Sequence, residues 1–424
     1  MTERPSVFPA DLPILNDPVL PTVDLLGDEL IDLLNAAYAA GGATVERVRP
    51  AQSTYHPQRS LTVLHEVTLR RSDSTLATER VGISVGRTAP ERATVLSDGL
   101  HDIVIWEVPN DPWLAGLAPA MRNEVVAGLL ASVDLPAETV NTRLRAYRPG
   151  RRAVIEAHGP QMRAFLKVVR PASAEALHRR HEYLAEHLAV PHSFGWSAEH
   201  GIVVLQALPG RTLRQAMLAG LPLPGAAALT AVLDSLPDPT DDLGVDAGPS
   251  VNWRGHEFAA LLGAVAPDLA ERTAAIAAGL EPFEARAAQE PIVAVHGDFY
   301  EAQLLVDRTH ITGVIDVDTY GWGRRVEDYA TMIGHLAVLA IGSPKRAVIE
   351  RYAARLLDGF DRSVDPALQR AAVAGVILGL ATGSFRVLEA NWHHHTLRRV
   401  ALAEAWLDSA IAVQRPAAMA AVVG

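Results

Sequence analysis

The sequence predicts an α+β chain in three parts: a small antiparallel sheet with a helix against it, a second strand-rich unit, and a long helical half. Three observations carry this. Strand-like segments crowd the chain before residue 208, Ala- and Leu-rich helical patterning fills 211–290 and resumes after 325, and two short apolar runs between 292 and 315 interrupt it. With 424 residues, 49% of them apolar, the chain can fill two or three cores. The reading divides it at 1–112, 113–208 and 209–424.

Residues 1 to about 20 carry several prolines and read as an irregular lead-in. Leu25, Leu26, Leu30, Leu33, Leu34 and Tyr38 recur at helical spacing over 23–40, until Gly41-Gly42 stop the pattern. Strands are expected at 44–48, 60–69, 76–85 and 102–108. A helix over 117–132 leads to a hairpin (143–147 and 153–157) turned at Pro149-Gly150, and 163–169 is a third strand. Inside it Lys167 stands between Phe165-Leu166 and Val168-Val169, so it must snorkel at an edge or point inward to a charge partner. Leu177, Leu184 and Leu188 share one face of a helix over 173–189. A strand over 201–208 ends at Pro209-Gly210, with Thr212 placed to cap a helix. The helical pattern of 211–290 is broken only by proline loops at 221–224 and 236–242. A helix over 326–340 and two or three more complete the chain. One short pattern occurs twice, as Tyr55-His56-Pro57-Gln58-Arg59 and Tyr147-Arg148-Pro149-Gly150-Arg151, each before a strand; three identities in five positions read as coincidence.

Composition removes several function classes. The chain has no cysteine, which excludes disulfides, zinc-thiolate sites and thiol catalysis. Lys+Arg number 38 against 49 Asp+Glu, a net charge of −11 that argues against nonspecific nucleic-acid binding and is compatible with a cationic small substrate. The first residues show no continuous apolar core, and the longest apolar stretch, 371–381, falls short of a bilayer span of roughly 20 residues. The expectation is a soluble, cytoplasmic protein without a membrane partner. His393-His394-His395 are adjacent and point in different directions, so they read as solvated rather than as metal ligands.

The chemistry concentrates in Val295-His296-Gly297-Asp298-Phe299-Tyr300-Glu301-Ala302-Gln303-Leu304-Leu305 and in the run ending Ile315-Asp316. A β-branched run (Ile292, Val293, Val295) stops at His296-Gly297, the loop offers Asp298 and Gln303, and a second run (311–315) delivers Asp316. These oxygen-bearing side chains are expected at the ends of two short adjacent strands. Phosphoryl transfer needs such a set: a carboxylate to orient and deprotonate a hydroxyl, and oxygen ligands to hold magnesium on the nucleotide phosphates. His296 either faces a ligand or bonds backbone to shape the loop.

The pattern His-Gly-Asp, four residues, amide, Leu-Leu, then Ile-Asp followed by Gly321 and Asp328, resembles the aminoglycoside phosphotransferase and choline kinase-like superfamily. That resemblance implies a protein-kinase-like pair of lobes and an ATP- and magnesium-dependent small-molecule kinase. It implies Asp298 as the catalytic base and Asp316 with Gln303 as metal ligands; the superfamily has Asn at that place, one methylene shorter. Lys167 would hold the phosphates and pair with Glu182, and the backbone from Gln206 to Leu208 would face adenine. Asp328 would hold the catalytic loop. Acceptor contacts are expected from Asp318, Trp322, Glu389 and Trp392, and the acceptor is expected to be a sugar, an amino sugar such as glucosamine, or an aminoglycoside. The first 112 residues resemble, in placement, the amino-terminal cap of the maltokinase-like branch, which leaves a disaccharide kinase as an alternative. Gln303 and the lack of a glycine-rich loop leave a nucleotide-binding pseudoenzyme as another.

Overall fold

Two five-stranded antiparallel sheets built to one strand order precede a helical half. The computed structural model describes residues 17, 19–20, 29–38, 41–97, 102–245 and 251–423. The expected lead-in and the start of the first helix therefore lie mostly outside the described residues. Helix α1 (Glu29–Tyr38) lies against the first sheet, made of β1 (Thr44–His56), β2 (Ser60–Arg70), β3 (Leu76–Val85), β4 (Thr94–Ser97) and β5 (Asp102–Glu107) in the order β1-β2-β3-β5-β4. Two short helices follow, α2 (Leu117–Ala120) and α3 (Asn123–Ala131). They replace the single helix expected over 117–132, because Arg122 takes an extended conformation between them. The second sheet comprises β6 (Asn141–Arg148), β7 (Arg152–Gly159), β8 (Met162–Val168), β9 (Ser193–Ser197) and β10 (Ile202–Gln206), ordered β6-β7-β8-β10-β9, with α4 (Pro171–Ala185) between β8 and β9.

The shared order is matched by shared anchoring. The two Tyr-x-Pro-x-Arg stretches occupy equivalent hairpin turns, closed by His56 opposite Ser60 and by Arg148 opposite Arg152. Both turn at a residue of positive φ, Gln58 at +58° and Gly150 at +63°. In the first copy Asp17 Oδ2 accepts the Tyr55 hydroxyl at 2.7 Å and the Gln58 N–H at 2.7 Å. In the second, Asp111 Oδ2 accepts the Tyr147 hydroxyl at 2.7 Å and the Gly150 N–H at 2.6 Å. Each aspartate also caps its own turn, Oδ1 accepting from Val19 N–H at 2.9 Å and from Trp113 N–H at 2.9 Å. The surrounding letters agree too: Asn16-Asp17-Pro18-Val19-Leu20 against Asn110-Asp111-Pro112-Trp113-Leu114. The five-residue repeat thus marks a structural repeat, the same hairpin anchored in the same way in both sheets, and is more than the coincidence expected from its letters. The copies diverge where chemistry matters. Val154 faces Lys167 across β7 and β8, while the equivalent cross-strand pair in the first sheet is Thr62 with Ser84, whose hydroxyls bond each other at 2.8 Å in the core. The first copy lacks the lysine.

The helical half carries two small sheets. Strands β11 (Arg211–Thr212), β13 (Leu304–Asp307) and β14 (His310–Val314) form one, and β12 (Val293–Val295) with β15 (Gly321–Gly323) form the other. The two apolar runs expected to be adjacent strands, β12 and β14, therefore belong to different sheets; β13 and β15, which are short and glycine- or leucine-bearing, intervene. Thr212 caps α5 (Leu213–Leu218) as expected, accepting the Gln215 N–H at 3.2 Å in a capping box. Helices α6 (Ala226–Asp234), α7 (Gly255–Val265), α8 (Ala270–Ala287), α9 (Arg325–Ala340), α10 (Arg346–Phe360), α11 (Pro366–Ala381), α12 (Gly383–Arg386) and α13 (Trp392–Val423) complete this half. The hub is α11, which packs against α7, α8, α9 and α13. The stretch Pro366–Arg386, at 21 residues longer than the apolar run counted from sequence, is long and apolar enough to cross a membrane, yet its 18-residue apolar window is 72% buried inside the fold. It is the core of the helical lobe. The whole is an α+β, protein-kinase-like pair of lobes with an additional sheet ahead of it.

Candidate active site

Gly297 lets the chain leave β12 abruptly. It takes φ +78°, and a Cβ there would strike the backbone oxygen of Thr319. The loop that follows is held from below by a carboxylate. Asp328, buried in the first turn of α9, accepts the N–H of His296 at 2.9 Å and of Gly297 at 2.9 Å. The His296 ring extends the brace: Nε2 donates to the Ile315 carbonyl at 3.1 Å, and Nδ1 accepts the Asp298 N–H at 3.2 Å. That pairing fixes the neutral Nε2–H tautomer, and burial lowers the imidazole pKa in the same sense. Of its two expected roles, His296 fills the loop-shaping one.

The His296–Ile315 bond also joins the two small sheets. Ile315 N–H donates to the Gln303 carbonyl at 2.9 Å, and Asp316 follows in a left-handed conformation, φ +58°, uncommon for a non-glycine residue and of the kind stored at functional sites. Gln303 Nε2 donates to Asp316 Oδ2 at 3.2 Å and the same side chain hydrogen-bonds Asp298. From the sheet lobe Lys167, its side chain 7% exposed, reaches Asp316 Oδ1 at 2.7 Å and also pairs with Asp318 Oδ1. Asp298, Gln303, Asp316 and Lys167, named from sequence, are brought together.

Two opposing effects set the charges. Burial, then the neighbouring charge of Asp316, raise the Asp298 carboxyl to about 6. Burial acts on Asp316 as well, but Lys167 and Arg152 outweigh it and hold that carboxyl well below its usual range. One carboxylate is thus kept ionised beside another whose proton affinity lies close to neutrality. The Asp316 carboxylate and the Gln303 amide oxygen are hard donors of the kind magnesium takes, so these residues fit that ion.

Other expectations are corrected by the coordinates. Glu182 does not pair with Lys167. It points away from the sheet, half-exposed, and pairs with His178 at 3.0 Å one helical turn back; the face of α4 turned inward carries Arg180 and His181 instead. Asp318 is tied into the charge cluster, its carboxylate taken by Lys167 and by Arg152 at 3.2 Å and its carbonyl by Arg180, and it also borders the cavity of Trp322. Trp392 is 3% exposed and packs edge-on against Phe385 at 5.4 Å, so it belongs to the core. Glu389 is exposed beside His395, 3.9 Å away. Trp322 is 40% exposed and lines a cavity of about 700 Å³ that also includes Trp253, Gly297 and Asp318. Gln206 ends β10, its N–H donating to the His192 carbonyl at 2.8 Å, and Leu208 is half-buried on the link to the helical lobe, its side chain near Gly313. Among the described residues no cluster of three or more metal-ligating His, Asp or Glu is found, the histidine triplet included.

Sequence reasoning missed the arginines. Arg152 stands 3.6 Å from Asp316 and 3.2 Å from Asp318, and Arg148 lies within electrostatic range of Asp298 and Asp316. The signal was present in Tyr147-Arg148-Pro149-Gly150-Arg151-Arg152, three arginines around one turn.

A sheet-lobe lysine facing carboxylates at the base of a helical lobe defines the kinase-like class of phosphotransferases. The chain belongs to the phosphotransferase enzyme family (APH), whose model matches residues 143–368. Among solved structures it is similar to choline kinase from Cryptosporidium parvum Iowa II (12% identity, covering 68% of this chain and 96% of that one, TM-score 0.47). It is also similar to a macrolide 2'-phosphotransferase from Brachybacterium faecium (21% identity, 65% and 97%, TM-score 0.41) and to an aminoglycoside phosphotransferase from Streptomyces rimosus (19% identity, 60% and 97%, TM-score 0.41). A search of curated proteins finds no match.

Proposed function

We propose that the protein transfers the γ-phosphoryl group of ATP, with magnesium, to a hydroxyl of a small molecule, a sugar or related polyol. The observation that carries the reading is the meeting of Asp298, Gln303 and Asp316, with Gln303 Nε2 3.2 Å from Asp316, opposite Lys167 at 2.7 Å. Asp298 orients the acceptor hydroxyl and takes its proton as the oxygen attacks the γ-phosphorus and the bond to the β–γ bridging oxygen breaks. Gln303 and Asp316 hold magnesium, which supplies positive charge against the phosphate oxygens when bound. Lys167 exchanges Asp316 and Asp318 for phosphate oxygens when nucleotide enters. The exposed face of Trp322, at the rim of its cavity, suits the flat side of a sugar ring.

The test is Asp298→Asn in the full chain. General-base loss of about 10²- to 10⁴-fold in turnover is expected, with the thermal midpoint and Mg-ATP stabilisation retained. Undiminished turnover rejects the assignment. Mg-ATP binding without transfer to any of maltose, glucose, glucosamine, an aminoglycoside and their anionic analogues favours a nucleotide-binding pseudoenzyme.

A further inference from the structure

The repeated hairpins converge. The tip of the first (Tyr55, His56, Pro57, Arg59) and Arg151 from the second face one cavity of about 370 Å³, closed on the remaining sides by Arg254 and Glu257 near the start of α7 and by Thr382, Phe385 and Arg386 at α12. The contact that seats the first sheet there is specific, Ser53 Oγ donating to the Phe385 carbonyl at 3.1 Å in a buried position. Four arginines and a histidine line this space against one acid, and that acid is spent on Arg254, with Nε 3.1 Å from Glu257 Oε2. The chain as a whole has a net charge of −11, so this concentration of positive charge runs against the background. Burial first, then the charges of neighbouring arginines, lower the basicity of Arg148, Arg151 and Arg386, and Tyr300, two residues beyond Asp298, lies within electrostatic range of Arg148 and Arg386. A charge cluster of this density, drawn from four separate elements around an open volume, is compensated by an anion. Arg254 also lines the cavity of Trp322 and Asp318, and Arg386 lies within electrostatic range of Arg148, as Arg148 does of Asp298.

We propose that the cavity receives a phosphate or carboxylate group carried by the acceptor, so that the molecule phosphorylated is an anion rather than an amino sugar or aminoglycoside. This rests on the phosphotransfer reading above and narrows its substrate. The first hairpin, in a sheet copy that has Ser84 where the second has Lys167, serves the acceptor; the second serves the nucleotide.

The experiment uses the full chain with inorganic phosphate as probe, titrated by calorimetry with and without saturating Mg-AMP-PNP. Phosphate binding at one site with the nucleotide analogue in place is expected, weakened at least tenfold by Arg59→Gln and by Arg386→Gln while analogue affinity stays unchanged. Phosphate displaced by the analogue, or binding equally to both variants, overturns the site. Initial rates on glucose with glucose 6-phosphate, and on glucosamine with glucosamine 6-phosphate, test the source of the anion. Preference for the phosphorylated member of either pair, reduced to parity in Arg386→Gln, is the expected result. Preference for the neutral or cationic member, or no turnover of a phosphorylated member that nevertheless competes with inorganic phosphate, overturns the acceptor assignment. Failure of the phosphotransfer reading is distinct: there the analogue itself does not bind, or Asp298→Asn retains turnover.

Discussion

Replacing Asp328 with Ala tests whether the catalytic loop is held from below rather than by its ligands. The carboxylate is buried and accepts two backbone N–H groups, from His296 and Gly297, at 2.9 Å each. Its removal strands both donors away from water, and each buried unsatisfied group costs about 1–3 kcal/mol. Partial rescue by water entering the space left by the side chain brings the total to about 3 kcal/mol. For a chain of 424 residues that corresponds to a thermal midpoint lower by roughly 3–4 °C. The catalytic loss should be larger than the stability loss. His296 sets the Asp298 N–H through its own ring, so freeing the loop shifts the base, and misplacement by about 1 Å costs on the order of 10²-fold. Differential scanning calorimetry and initial-rate kinetics at saturating Mg-ATP measure both. Asp328→Asn, which can still accept one of the two bonds, should fall between Ala and the parent. A variant Asp328→Ala with the parent's midpoint and turnover refutes the brace.

Two further outcomes follow from the same geometry. Glu182→Gln should leave the KM for Mg-ATP within about twofold, because this half-exposed side chain pairs only with His178 on its own helix and such pairs contribute about 0–1 kcal/mol; Lys167→Met should lower kcat by 10²-fold or more, and equal effects in steady-state kinetics would restore Glu182 as the lysine's partner. Burial, with the Arg214 charge after it, lowers the His335 imidazole to about 3, and burial lowers His181 to about 4. A folded-state pKa depressed below the unfolded value of about 6.5 means stability fully present above that pH and lost as pH falls toward the folded values. Thermal midpoints should therefore drop between pH 6.5 and 4, and His335→Phe, which keeps a ring stacked 4.0 Å from Tyr300, should flatten the decline. An unchanged slope counts against it.

What the sequence disclosed was whatever local pattern could encode. Strand β3 and the Thr212 cap are visible because alternation and turn chemistry act over a few residues. The cluster of Asp298, Gln303 and Asp316 was legible through spacing, yet the reason they meet was not: β12 and β14 lie in different sheets, joined by a histidine-to-carbonyl bond that leaves no letter pattern. Glu182 failed because helical phase decides which acid turns inward, and Leu177, Arg180, His181 and Leu184 took that face. Trp392 failed because an aromatic between helices is more often core than contact. The structural repeat was hidden because few letters are shared, while the equivalent tyrosine-to-aspartate anchors are visible only in three dimensions.

The anchor of the second hairpin has a practical consequence for anyone dissecting this chain. Trp106 Nε1 donates to the Tyr147 hydroxyl at 2.9 Å, Asp111 grips Gly150, and Arg87, stacked 3.9 Å over Trp113, donates to the Gly150 carbonyl at 3.3 Å. The hairpin is guyed from outside its own sheet. A fragment trimmed to the stretch shared with relatives, 143–368, would part all three lines at once.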